Sequence, residues 1–210
     1  MKLTKYQHAC FAVEAAGQIL VVDPGGFATD FVATDNIAVV VITHDHADHL
    51  DPNKLNVIFD KNPNAVLVSL GQIVDQFPSR QSKAVKPGDK IELGPFKLEF
   101  FGGKHALMHS TIPLIDNIGV LINDTVYYPG DSLALINKPV DVLALPVGGP
   151  WLKLSDTMDF LLTVKPLLAF PTHDAVLSSL GKSIPDNILP AVAKQVGTEY
   201  RRIDGTSIAV

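Results

Sequence analysis

One cysteine, Cys10, occurs among 210 residues, too few for an intrachain disulfide or a cysteine-based zinc motif. A reducing, cytoplasmic setting is the expectation that follows. Charge is also scarce. Charged residues make up 19% of the chain, the formal net charge is −5, and Arg201 and Arg202 form the only adjacent basic pair. Capture of nucleic-acid phosphates is therefore not expected, although one or two cations are enough for a small anionic substrate. No apolar run approaches the roughly 18 residues of a membrane span. The opening MKLTKYQHAC has no basic region leading into an apolar stretch, so neither membrane insertion nor a secretory signal is expected. A hydrophobic fraction of 47% excludes intrinsic disorder. The 15 glycines and 15 prolines are spread through turns, and no stretch reads as a linker. One domain over residues 1–210 is expected, with homo-oligomerisation left open.

Apolar patterning predicts short strands at 3–8, 11–15 and 18–22. The β-branched run Ile37 to Thr43 reads as a strand buried on both faces. Asp51-Pro52 predicts a capped helix to about Asp60. A strand at 65–69 and a helix over 70–77 follow. Further strands are expected at 90–93 and 96–101, and a hairpin at 118–122 and 125–128 turns on Asn123-Asp124. A strand at 141–145 leads to a helix over 155–164 capped by Ser155. The last elements are a strand at 167–170, a helix over 188–196, and strands at 199–203 and 207–210. Each half runs strands and then βα, which fits two similar sheets packed face to face with helices outside.

Histidine carries the chemical signal. Three of the seven histidines fall in the segment His44-Asp45-His46-Ala47-Asp48-His49, just beyond the buried strand. A loop on a rigid scaffold is where ligands are presented. Neutral imidazoles with a carboxylate suit zinc, manganese or iron. The four ligand-capable side chains are too close in sequence to serve one ion well, so Asp48 and His49 are expected to face a second. His105, Asp131 and His173 each stand alone beyond an apolar strand, where sheet-based enzymes collect ligands. His8 and Cys10 read as sharing one strand face, with packing or supporting roles.

These residues resemble the metallo-β-lactamase fold superfamily, in its small hydrolase branch similar to the L-ascorbate-6-phosphate lactonases. The likeness spans nearly the whole chain. It rests on Gln7 to Cys10, Leu20 to Gly25, the His44–His49 loop, Tyr128 to Ser132, Pro146 to Gly149 and Pro171 to His173. The resemblance implies an α/β fold built as a four-layer αββα sandwich with two divalent metal ions at one sheet edge, zinc first, with manganese or iron as alternatives. It implies that His44, His46 and His105 bind one metal, that Asp48, His49 and His173 bind the other, and that Asp131 bridges them. Either His105 or His109 could be the histidine following its strand. His105, directly off the strand, is assigned as ligand, and His109 as pocket wall or substrate contact. Asp23 and His8 are expected to orient ligands from behind. Lys104, Lys153 and Trp151 are candidate substrate contacts, the lysines for an anionic group. The implied activity is hydrolysis of a small ester, lactone or phosphoester by hydroxide generated between the metals, with Asp48 orienting the nucleophile. A nucleotide or nucleic-acid phosphodiesterase with the same centre is one alternative, and a non-catalytic metal-binding protein another.

Overall fold

Continuous apolar runs become the inner strands of two sheets in the computed structural model, which describes residues 1–210. The first half supplies β1 (Lys2–Lys5), β2 (Phe11–Ala15), β3 (Gln18–Val22), β4 (Ile37–Val41), α1 (Pro52–Lys61), β5 (Val66–Ser69), α2 (Gly71–Val74) and β6 (Ser82–Ala84). The second supplies β7 (Lys90–Leu93), β8 (Phe96–Lys104), β9 (Asp116–Ile122), β10 (Val126–Tyr128), β11 (Val142–Pro146), α3 (Leu154–Val164), β12 (Leu168–Thr172), α4 (Ser179–Lys194), β13 (Glu199–Tyr200) and β14 (Ser207–Ala209).

The sheets have seven strands each, ordered β14-β1-β2-β3-β4-β5-β6 and β13-β12-β11-β10-β9-β8-β7. Only β14 crosses back, pairing antiparallel with β1. In each sheet the antiparallel strands give way to parallel pairs, the first joined by a long loop (β3–β4 and β10–β11) and the later ones through helices, the crossovers that parallel neighbours need. Helix α1 buries Leu55, Ile58 and Phe59 in the main core, and α3 packs on β11 and α4. The result is the expected αββα sandwich. Its central seam is aromatic: Phe11 of β2 meets Tyr128 of β10 and Phe170 of β12 edge-on, with ring centroids 5.6 and 6.0 Å apart. Truncating such a fully buried ring costs about 3–5 kcal/mol. No helix is long and apolar enough to cross a membrane.

Local signals explain several boundaries. The Asp51 carboxylate accepts from the amides of Asn53 (2.9 Å) and Lys54 (3.4 Å), and Pro52 occupies the first turn of α1. Asn123 and Asp124 both adopt positive φ between β9 and β10, the conformation a two-residue hairpin turn demands.

Other expectations need correction. Strand β1 ends at Lys5, because the chain turns through Tyr6–Cys10 with His8 at φ 59°. His8 and Cys10 therefore do not share a strand face. The helix expected over 70–77 is confined to Gly71–Val74. Ser155 does not cap α3, which starts at Leu154 after an extended Lys153 without a side-chain cap bond. Helix α4 starts at Ser179, well before residue 188. Ser178 caps it by accepting from the Gly181 amide, and Pro185 and Pro190 lie inside. Only Glu199–Tyr200 pairs in the stretch 199–203. Strand β6 was not anticipated: Ser-Lys-Ala is a polar edge strand without apolar alternation.

Candidate metal centre

The site forms where strand ladders end at one edge of both sheets. Beyond β4 the Thr43 amide turns from its neighbour strand to donate to Asp23 Oδ1 at 2.8 Å, releasing the chain into the His44–His49 loop. His105 follows β8, Asp131 follows β10 and His173 follows β12. These termini converge. His44, His46, His105 and Asp131 form one group whose ligand atoms lie within 4.8 Å of one another, and His8, Asp48, His49 and His173 form a second. Asp131 faces both. Its Oδ2 is 3.8 Å from His44 Nε2, 3.4 Å from His105 Nε2 and 2.8 Å from His173 Nε2, and its Oδ1 is 3.2 Å from His49 Nε2.

Hydrogen bonding from behind sets the tautomers. Thr43 Oγ1 donates to Asp23 Oδ2 (2.7 Å), so it accepts from His44 Nδ1–H (3.0 Å). His49 Nδ1–H donates to Asp23 Oδ2 (2.7 Å), and His105 Nδ1–H to the Ala106 carbonyl (2.7 Å). Each ring thus turns its Nε2 inward, the orientation that outer partners impose on metal-ligating histidines. His8 has the opposite polarity. The Ala175 amide donates to its Nδ1 (3.2 Å), leaving the hydrogen on Nε2, which donates to Asp48 Oδ2 at 2.9 Å. His8 therefore presents a proton, not a lone pair, to the second group.

Buried ligand atoms lack other partners. His49 Nε2, His105 Nε2, His173 Nε2 and Asp131 Oδ1 are buried without a hydrogen bond; the short approaches to Asp131 are misaligned for one. Such orphaned groups are costly unless something else binds them. The donor set, imidazoles and carboxylates held apart from water, fits divalent cations of the zinc type.

Electrostatics follow from this crowding. Burial, aided by the neighbouring His49, holds His44 well below the ordinary imidazole range, and burial lowers His8 to about 4. Burial also acts against a charged His49, but the carboxylates of Asp131 and Asp23 outweigh it and raise that ring well above the ordinary range. For His173 the carboxylates of Asp131 and Asp48 likewise overcome burial, lifting it to about 9. Asp131 and Asp48 stay ionised although burial opposes it, because histidines surround both.

Three residues expected as substrate contacts have partners within the protein. Lys104 is exposed and paired with Asp116, the residues flanking the 105–115 loop. His109 is exposed, with Nδ1 bonded to Thr111 Oγ1 of its own loop at 2.7 Å, and belongs to neither ligand group. Trp151 does reach the centre, but its indole N–H donates to Asp131 Oδ2 at 3.0 Å. Cys10 is fully buried and in neither group.

Asp23 and His8 stand behind the groups as expected, but other supports escaped sequence reasoning. Asn117 on β9 accepts from the Asp131 amide (3.0 Å) and donates to the Pro129 carbonyl (2.9 Å). Lys5 is wholly buried and donates to the His8 carbonyl at 2.8 Å. Gly25 passes so close to the Asp48 backbone that a Cβ would lie 1.9 Å from its carbonyl oxygen. An alternating strand pattern hides a buried asparagine or lysine, so no local signal could have found the first two.

Comparison with known proteins agrees with this architecture. Protein Rv0786c of Mycobacterium tuberculosis is 35% identical over 189 residues, covering 88% of this chain and 89% of that protein. A UPF0173 metal-dependent hydrolase of Aeropyrum pernix is 28% identical over 206 residues, covering 82% and 81%. Among solved structures, Igni18, a metallo hydrolase from Ignicoccus hospitalis, has a TM-score of 0.73 at 18% identity and covers 100% of this chain and 98% of that one. The metallo-beta-lactamase fold protein YhfI of Bacillus subtilis has the same TM-score, 0.73, at 16% identity, covering 99% and 98%. Similarity at that level speaks for the fold alone. The family model for the Beta-lactamase superfamily domain matches residues 2–173, and with most of its length so matched the chain belongs to the beta-lactamase superfamily.

Proposed function

We propose that the chain is a metal-dependent hydrolase that cleaves a small ester, lactone or phosphoester at a dinuclear centre. The observation that carries this reading is Asp131, a carboxylate 2% exposed that stands between the two groups, its Oδ2 near His44, His105 and His173 and its Oδ1 near His49. His44, His46 and His105 would hold one cation and Asp48, His49 and His173 the other, with Asp131 available to both. Zinc suits this imidazole-rich set best, with manganese or iron as alternatives. Two divalent cations supply Lewis acidity and lower the pKa of water from about 15.7 towards neutrality.

The chain's own residues do the rest. Asp48, with a side chain 19% exposed, is the more accessible central carboxylate and orients the nucleophile. His8 Nε2–H fixes one Asp48 oxygen and thereby the rotation of the carboxyl. Asp23 and Thr43 keep His44 and His49 in the tautomers that face inward. Trp151 holds Asp131 from the substrate side. Ser110 is no competing nucleophile, since it sits in an exposed loop without a strand-to-helix elbow.

The test is elemental analysis of the purified protein, followed by turnover of chromogenic esters, lactones and phosphodiesters. Hydrolysis that chelation abolishes and zinc or manganese restores supports the reading. Activity on phosphodiesters alone favours the phosphodiesterase alternative. A metal-saturated protein inert on every class contradicts the hydrolase reading.

A further inference from the structure

The loop between His105 and β9 has an unusual surface. Its ten residues, Ala106 to Ile115, contain no charged side chain. Leu107 is 61% exposed, Leu114 47%, Ile112 45% and Met108 37%. Connecting loops are ordinarily polar, and clustered exposed apolar side chains mark a binding surface. The loop is rooted in the centre: the His105 amide donates to the Ile115 carbonyl (3.1 Å) and the Ala106 amide to the Asp131 carbonyl (2.7 Å). Under it lies a recess of about 30 Å³ walled by His46, His105 and loop side chains. Its apolar rim therefore continues directly from the first ligand group.

Three cations around the site are engaged, while Lys153, two residues from Trp151, is exposed. Lys104 pairs with Asp116 at the foot of the loop. Lys54 donates to the carbonyls of Gly25 (2.7 Å) and Ala28 (2.6 Å). Arg202 is held by Asp174, Asp186 and Asp204. Beside the second group, the half-exposed ring of Phe27 meets His8 at 5.2 Å. The centre is thus flanked by apolar surface on both sides.

We infer that the substrate carries an apolar acyl chain, which packs on the 106–115 loop beside His46 and His105 while its carbonyl group reaches the metal centre. This rests on the hydrolase reading and names the substrate class within it. Each methylene that leaves water against the loop tightens binding about fourfold.

The test is a titration of zinc-loaded protein with straight-chain hydroxamates from acetyl to octanoyl. The probe is fluorescence of Trp151, the only tryptophan, whose ring centroid is 5.7 Å from that of His105. Affinity should rise at least tenfold along the series. The double variant Leu107→Ser with Ile112→Ser should lose more than half of that slope while binding acetohydroxamate as before, and Leu107→Met should keep it. Both residues are exposed, so folding is preserved; circular dichroism checks this. Absence of binding, affinity independent of chain length, or an unchanged slope in the double variant overturns the inference. So does a change in oligomeric state with an unchanged slope, which makes the loop a subunit contact. Chain-length-dependent binding without hydrolysis of matching esters sinks the hydrolase reading and leaves the apolar subsite standing.

Discussion

His8 Nε2 stands 2.9 Å from Asp48 Oδ2 and must donate to it, because the Ala175 amide occupies His8 Nδ1. Distance alone would admit His8 to the second ligand group; the direction of its hydrogen bonds excludes it. Three residues at the centre, His8, Asp23 and His173, hold positive φ without being glycine. Such conformations cost of order 1–3 kcal/mol each and persist where surrounding contacts over-determine them. Lys5 and the His173 amide both donate to the His8 carbonyl, which supplies that constraint.

Removing this donor tests the arrangement. His8→Ala should lower kcat about 10–100-fold, the usual cost of deleting an outer partner of a ligand. Gln at the same position, which retains a donor, should recover part of the loss. Metal content measured alongside should stay near two ions per chain. Unchanged kcat in His8→Ala would remove His8 from the account.

Asp48 itself is expected to be catalytic. Asp48→Ala should reduce turnover by roughly 10²–10⁴-fold with the circular dichroism spectrum intact and fewer than two ions bound. Full occupancy with unchanged activity would contradict its role.

The sequence pointed to the residues of both candidate ligand groups and to Asp23 and His8 behind them, but not to the remaining supports. His44 to His49 form a contiguous cluster after a readable strand, and His105, Asp131 and His173 follow apolar strands, so topology could be guessed from position. Asn117, Thr43 and Lys5 act through a few side-chain hydrogen bonds each, and no periodicity marks them. Pro185 and Pro190 interrupt the apolar pattern of helix α4 and hide its first half in the sequence, while the Ser178 cap and packing on α3 sustain it. The local partners of Lys104 and His109, Asp116 and Thr111, could not be read from the sequence, because proximity to His105 says nothing of them.

Through one hydroxyl Thr43 joins His44 to Asp23, the partner of His49. Thr43→Val keeps the shape but removes the donor to Asp23 and the acceptor for His44 Nδ1. Stability should fall by about 1–3 kcal/mol in urea unfolding, and metal affinity by about 10–100-fold. Affinity equal to that of the parent protein would show that the tautomer of His44 needs no such anchor.

Acidity at His173 couples metal binding to pH. Its pKa in the folded, metal-free protein lies near 9, above the ordinary 6.5. The stabilisation it contributes is therefore complete below about pH 6.5 and is lost as pH rises through 9. A cation requires the neutral ring, so near pH 7 binding expels this proton. Apparent metal affinity should rise by up to about tenfold per pH unit from this group between pH 7 and 9. His173→Asn should flatten that dependence in competition with a chromogenic chelator. An equal slope in parent and variant would locate the released proton elsewhere.

The most direct measurement is metal stoichiometry in the parent protein and in Asp131→Ala. Two ions per chain in the parent, and a loss of ions together with hydrolysis in the variant, are expected if one buried carboxylate joins both ligand groups. A parent protein that saturates at a single ion, or a variant that keeps two and remains active, would contradict the account.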